Sequence, residues 1–428
     1  MGRFKSVTFF LVLLAFQLKA QIKNSKLDES NAKQAFEPSV AISMKDPKNT
    51  VVTSASNNVY YSTDGGLSWR KSTVEYRSGV SGSMIVVPGG KDSFFILHRT
   101  NLSGSERLVC HESGDGGKTW SDGAMIDDDE KRMMLDQRWQ RVTTDMKGNL
   151  YTTWTQSDKY ASTDTACHSY IYYSQSSDGK KWSTPVRISQ KGGKCEEGDY
   201  MTAGSSPAIN ADGRVYAVWA NNGKIFFDRS FDGGDMWLST DLPIADQPGG
   251  WALDVPGHKR INGLPQVVVD HSKGALSGSL YVCWADQRNG AKDTDIWLTR
   301  SSNGGDNWTS PAKVTSGESG RQQYYPVMAI DQTTGAIFVV YYDREAGDEM
   351  KTDVYLAYSV DGGNKFDTLK ISESPFTPSE DVDIGDYIGL TAYKGIVVPV
   401  WTRVEDGKTS IWTTTIKLDD LLSKAVKK

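Results

Sequence analysis

The sequence predicts an all-β protein, a β-propeller of four-stranded antiparallel blades, on three observations. A short formula, Ser-x-Asp-x-Gly-x-x-Trp or a near variant, occurs six times along the chain. The aromatic residues that end the copies, at positions 69, 120, 182, 237, 308 and 366, are 51, 62, 55, 71 and 58 residues apart, about the length of one four-stranded sheet with its loops. Between copies, apolar strands ending in Asp lead through Gly-containing turns into second strands that end in an aromatic and a polar residue.

Each copy is a tight hairpin closed by its own side chains. Its short Asp or Asn bonds the amides of its turn, Gly supplies positive φ, and the Trp folds back as a hydrophobic plug. The full copies run Ser62–Trp69, Ser113–Trp120 and Ser230–Trp237; Ser359–Phe366 ends in Phe, Ser301–Trp308 has Asn303 for Asp, and Ser176–Trp182 is one residue shorter.

The inner strands follow in order. Pro207–Asn210 leads to Val215–Trp219, Pro265–Asp270 to Leu280–Trp284, and Pro326–Asp331 to Ile337–Tyr342. Asp386–Tyr393, Ile396–Trp401 and Ser410–Ile416 repeat the skeleton without a hairpin formula, which gives a seventh, incomplete sheet. Ile22–Leu27 has the alternation of outer strands such as Val186–Ser189 and Leu369–Ser372, so an N-terminal strand is expected to complete that blade and close the ring. Seven blades are favoured over six.

Six such hairpins resemble the Asp-box (BNR) repeats of the sialidase superfamily of propellers. The resemblance implies that Asp64, Asp115, Asp178, Asp232 and Asp361 lie low on the outer rim and are structural. It also implies a site with three arginines on a sugar carboxylate, a Tyr nucleophile activated by Glu, and an Asp acid/base. The chain departs from that pattern in its first blade. The Arg-Ile-Pro tripeptide that delivers the first arginine has no counterpart in Pro38–Met44, and Arg260-Ile261 is followed by Asn262.

Residues 1–20 pass from Arg3 and Lys5 through an apolar Val7–Phe16 to Ala20, the order of a cleavable secretion signal, leaving residues 21–428 as a single propeller domain. Losing that segment takes the formal charge from −5 to −8. An acidic chain with no basic tract argues against nucleic acid, and no later apolar run is long enough to span a bilayer. A monomeric periplasmic or extracellular protein is expected. Cys110, Cys167, Cys195 and Cys283 are too scattered for a zinc ribbon; Cys167 and Cys195 flank one hairpin, leaving both a bridge and buried free thiols open.

Function in a propeller belongs where inner strands meet the channel and second strands end. Those positions carry Gln140, Arg141, Arg321, Arg344, Arg403, Arg288 and His98 as candidate sugar-binding residues, and Asp286, Asp343, Glu345, Tyr387 and Tyr324 as candidate catalytic ones. Arginines fork onto a carboxylate, aromatic rings stack on pyranose faces, and Asp or Glu protonates a leaving oxygen. The expected function is therefore a secreted, sialidase-like glycoside hydrolase acting on terminal or anionic sugars. Two alternatives stay open: a lyase on uronic acids, with His98 or His258 as base, and a propeller that only binds glycan or protein. No cofactor or metal is required; Asp381, Asp383 and Asp386 lack the spacing of an EF-hand loop and read as a solvated acidic loop. Trp154, Trp219 and Trp284 recur at one repeat position and read as packing residues.

Overall fold

The computed structural model describes residues 22–425 apart from 28–34, 56, 103, 130–134, 317–319 and 345–349, so the export-signal reading of residues 1–20 falls outside the described residues. Seven antiparallel sheets follow one another along the chain. Their innermost strands are Ser39–Ile42, Ser81–Pro88, Asp136–Thr144, Ala203–Ile209, Gln266–Val269, Gln323–Ile330 and Gly389–Tyr393. Within a blade, each strand pairs with the next in sequence, which keeps every connection short. The seventh sheet takes its outer strand from the other end of the chain: Ser25 pairs with Thr413 and Lys26 with Trp412.

The core is a series of layers between neighbouring blades. Ile171 and Tyr173 of the third blade pack with Val215, Ala217 and Trp219 of the fourth, and Val398, Val400 and Ile411 of the seventh pack with Val40, Ile42 and Val52 of the first. Trp154, Trp219, Trp284 and Trp401 are fully buried in these layers. Each removes on the order of 200 Å² from water, about 5 kcal/mol of gross stabilisation before conformational entropy is charged.

The hairpin formula also works between blades. Inside each copy the Ser hydroxyl donates to the side-chain oxygen of the Asp or Asn, as Ser230 Oγ does to Asp232 Oδ1 at 2.7 Å, and accepts from a glycine amide, Gly234 N at 2.8 Å in this copy. That glycine then rests on the preceding blade: a Cβ on Gly234 would lie 2.2 Å from the Tyr173 ring, and one on Gly305 2.4 Å from the Phe227 ring. Tyr173 Oη donates to Gly233 O at 3.0 Å, and Arg300 Nη1 to Gly362 O at 3.0 Å. The glycines are therefore needed twice, for φ of +104° at Gly234 and for close approach.

Two features were not anticipated. A two-stranded ribbon, Ala252–Leu253 with Ile261–Asn262, stands between the fourth and fifth blades, and a short helix, Leu418–Ala425, follows the seventh. Cys167 and Cys195 form a disulfide, while Cys110 and Cys283 are free and buried. Among the described residues no helix is long and apolar enough to cross a membrane.

Candidate functional site

The inner strands surround a channel of about 340 Å³ lined largely by Val, Ile and Ala. At the end where inner strands begin, Trp139, Arg141, Asn262, Tyr325, Asp386 and Tyr387 enclose a smaller recess of about 20 Å³. Local backbone geometry delivers these side chains. In five blades the residue that opens the inner strand has positive φ: Glu37 at +52°, Gly82 at +63°, Trp139 at +48°, Gly204 at +68° and Tyr325 at +53°. In four of these blades the ladder shifts register at that point, between Ser81 and Met84, Arg138 and Arg141, Ala203 and Ser206, and Tyr324 and Val327. Such bulges re-aim a side chain, and a non-glycine residue held there costs about 1–3 kcal/mol. Glycine serves where no side chain fits: a Cβ on Gly82 would strike the Arg99 guanidinium and one on Gly204 the Leu264 side chain.

Charged side chains organise the mouth. Glu37 is buried; its Oε1 accepts Asp386 N at 3.0 Å and its Oε2 accepts the Ser83 hydroxyl. Burial, followed by the nearby Asp386 charge, raises its pKa to about 7. Arg260 forks between Glu197 and Asp386, and Asp386 Oδ2 also accepts Trp139 Nε1 at 3.1 Å. Arg99 and Arg138 share Glu106, at 2.7 and 3.0 Å. Arg141 lies 4.2 Å over the Tyr387 ring, and among the described residues no carboxylate pairs with it. Burial keeps the Tyr387 phenol protonated, and the Glu37 charge acts in the same direction.

Of the residues singled out in the sequence, Arg141 and Tyr387 meet at this mouth, and buried Gln140 donates to Ser83 O at 3.0 Å beside it. The other described ones do not line this recess. His98 stacks on His111 with Nε2 atoms 2.8 Å apart, inside the second blade, and burial lowers its pKa to about 4. Tyr324 is enclosed against His258 Nε2 at 2.7 Å, with Arg344 above its ring and bonded to Pro256 O. Asp286 is held by Arg288 and by Trp284 Nε1 at 2.8 Å, so acid and arginine neutralise each other. Asp343 accepts from Gln323 at 2.9 Å, Arg321 lies near Tyr341, and Arg403 grips Glu405 and Ser374. Glu345 is outside the described residues. The two histidines named as candidate lyase bases are both in buried pairs, His98 with His111 and His258 with Tyr324.

The acidic loop is corrected in one respect: Asp386 is an ion-pair partner with a largely covered side chain, where a solvated acid was expected. Glu37 and Glu197 were not singled out as site residues, whereas Trp139 and Tyr325 lie in the stretches read as entries to inner strands. Glu37 follows residues with no strand pattern, Glu197 lies in a loop, and positive φ at a non-glycine residue leaves no mark in composition.

The family described as BNR repeat-like domain matches residues 278–424. No curated protein matches. Among solved structures, an α-L-arabinofuranosidase from Fusarium graminearum in complex with an iminosugar inhibitor is 12% identical, with TM-score 0.50 over 94% of this chain and 98% of that one. An α-L-arabinanase from Penicillium chrysogenum is 12% identical, TM-score 0.49, covering 93% and 98%. A Hadza microbial sialidase is 14% identical, TM-score 0.47, covering 87% and 74%. At such identities the likeness is one of fold: residues 278–424 match the BNR repeat-like domain, and the blades are those of a β-propeller.

Proposed function

We propose that the protein is an exported, exo-acting glycoside hydrolase whose channel mouth takes a terminal sugar, with an acidic group on that sugar held by Arg141. The observation that carries this reading is Glu37: a buried carboxyl, held near pKa 7 at a positive φ, beside Tyr387 and Arg141, with which no carboxylate among the described residues pairs. A carboxyl with that pKa both accepts and donates a proton near neutrality, as acid–base catalysis of glycoside cleavage needs. Tyr387 is the nucleophile in this scheme. Its proton passes to Glu37 as the phenolic oxygen bonds to the anomeric carbon. Glu37 hands that proton to the departing glycosidic oxygen as the C–O bond breaks, and water then displaces the sugar from Tyr387, its proton returning through Glu37 to the phenolic oxygen. The Arg141 cation over the ring favours the developing phenolate. Three free arginines on one carboxylate are not available, because Arg99, Arg138 and Arg260 are neutralised within the protein. Export is supported by the order of residues 1–20 and by the Cys167–Cys195 bridge.

The test is release of sugar by protein beginning at Gln21 from a panel of sialosides, uronosides and α-L-arabinofuranosides, with Glu37→Gln, Tyr387→Phe and Arg141→Ala beside the wild type. Turnover of an acidic glycoside that all three variants lose supports the scheme. Turnover only of neutral glycosides, with Arg141→Ala unaffected, removes the acidic substrate. Silence on the whole panel with glycan still bound leaves a binding propeller.

A further inference from the structure

Four arginines stand at the mouth, and one of them differs from the rest in what it connects. Arg260 leaves the end of the extra ribbon, and its two terminal nitrogens are spent on opposite sides of the recess: Nη1 on Glu197, from the connection between the third and fourth blades, and Nη2 on Asp386, from the connection between the sixth and seventh. Its backbone is held too, with Tyr325 Oη donating to Arg260 O at 3.2 Å and to Gly385 O at 2.5 Å. A guanidinium with both prongs occupied has no fork left for a sugar carboxylate.

The network continues in both directions. Outward, Glu197 accepts the Tyr160 hydroxyl, and the two residues are brought together by the disulfide, since Cys195 lies two positions before Glu197 and Cys167 closes the loop that begins beside Tyr160. Ala161 N donates to Cys195 O at 2.9 Å, so a backbone hydrogen bond also joins the two loops. Inward, Asp386 accepts Trp139 Nε1, takes Asn262 Nδ2 on its carbonyl at 2.9 Å, and donates its own amide to Glu37 at 3.0 Å. An unbroken series of polar contacts thus runs from the bridged loops of the third blade, across the channel, to the carboxyl at the centre of the proposed chemistry.

We infer that Arg260 is a positioning residue and not a substrate arginine: it ties Asp386 to the disulfide-stapled loop, and through Asp386 it fixes the electrostatic surroundings in which Glu37 works. The inference rests on the role proposed for Glu37. The charged and titratable groups facing Glu37 are Asp386 and Tyr387 from the connection into the seventh blade, Arg99 from the second blade and Tyr325 from the sixth; Arg141, from the third, acts from the other side of Tyr387. Asp386 opposes ionisation of Glu37 and Arg99 favours it. Arg260, by neutralising Asp386, limits how strongly Asp386 opposes it. Removing the two partners of one ion pair must therefore move Glu37 in opposite directions, which a structural role alone does not produce.

The experiment is a titration that needs no substrate. Protein labelled with ¹³C at the glutamate carboxyl is followed by NMR from pH 4 to 9, and the Glu37 signal is the one missing from Glu37→Gln. Asp386→Asn is expected to lower the Glu37 midpoint by about one pH unit, and Arg260→Gln to raise it by a similar amount. Glu197→Gln, which leaves Arg260 to Asp386 alone, is expected to lower it by less than Asp386→Asn does. Arg260→Lys keeps the charge and loses the fork; its midpoint is expected to stay near wild type while its melting temperature falls. Shifts of the same sign in Asp386→Asn and Arg260→Gln, or no shift in either, overturn the inference. Because the readout is a carboxyl midpoint, signed shifts without turnover of any glycoside would defeat the proposed hydrolase and leave this inference standing.

Discussion

The outer rim and the channel mouth use the same side chain, a carboxylate, in opposite electrostatic settings. On the rim Asp64 is exposed, and the Ser68 hydroxyl and amide, with the Ser62 hydroxyl, hold its pKa down at about 2. At the mouth Glu37 is buried, and burial with the Asp386 charge lifts it to about 7. Both accept hydrogen bonds, so hydrogen bonding is not the difference. Water is: the rim carboxylate keeps its hydration and gains N–H and O–H donors, whereas Glu37 loses its hydration and gains only one amide and one hydroxyl. A carboxylate that stays ionised at every ordinary pH is suited to holding a turn, and one that ionises near neutrality is suited to moving a proton.

That contrast can be broken most directly at Glu37. Glu37→Gln is expected to lower turnover by at least about a hundredfold, without loss of melting temperature at pH 7. The pH dependence follows from the raised pKa. Between about 4.5 and about 7 the folded state binds a proton that the unfolded state releases, so this group makes the protein less stable as pH rises through that window. Glu37→Gln should remove that slope, and melting curves of the two proteins should diverge in favour of the variant as pH rises. Equal slopes would mean that Glu37 is an ordinary solvated carboxylate.

The rim should respond in the other currency. Gly234→Val places a side chain against Tyr173 at a φ of +104°, and a stability loss of about 3 kcal/mol is expected in denaturant titrations, with turnover per folded molecule unchanged. If turnover falls in proportion, rim and mouth are not separable. A smaller effect is expected at Tyr324, which sits in the inner strand but is closed off with His258: Tyr324→Phe should cost about 1 kcal/mol and leave the rate alone. A lost rate there would extend the site beyond the recess. The smallest effect belongs to Asp64→Asn. Its lowered pKa means that its contribution is complete above about 3.8 and vanishes as pH falls through about 2, so the melting difference from wild type should be slight at pH 6 and gone near pH 2.

How far the site was legible depends on what each residue's position rests on. Arg141 and Tyr387 could be read as rim positions because Arg141 lies in the inner strand Asp136–Thr144 and Tyr387 two residues before Gly389–Tyr393, and the apolar alternation of such strands can be read directly. Glu37, two residues before the strand Ser39–Ile42, was not among the residues read as candidates, because its setting comes from a positive φ at a non-glycine residue and from neighbours on the second blade and in the connection into the seventh. Asp286 and Arg288, two residues apart in sequence, read as an acid and a cation at a rim, and only the structure shows that they pair with each other.

The sequence by itself determined the blades. Six hairpin formulas, their spacing and the period-two strands between them are local properties, each specified within a dozen residues, and they compel a repeating all-β ring. It also named the glycines that let each hairpin rest on the blade before it. Only the tertiary structure decided which charges pair across the channel, which carboxyl loses its water and which arginine is left over. Those outcomes depend on residues brought together from positions as far apart as Glu37 and Asp386, and the desolvation that sets them exists only once the ring has closed.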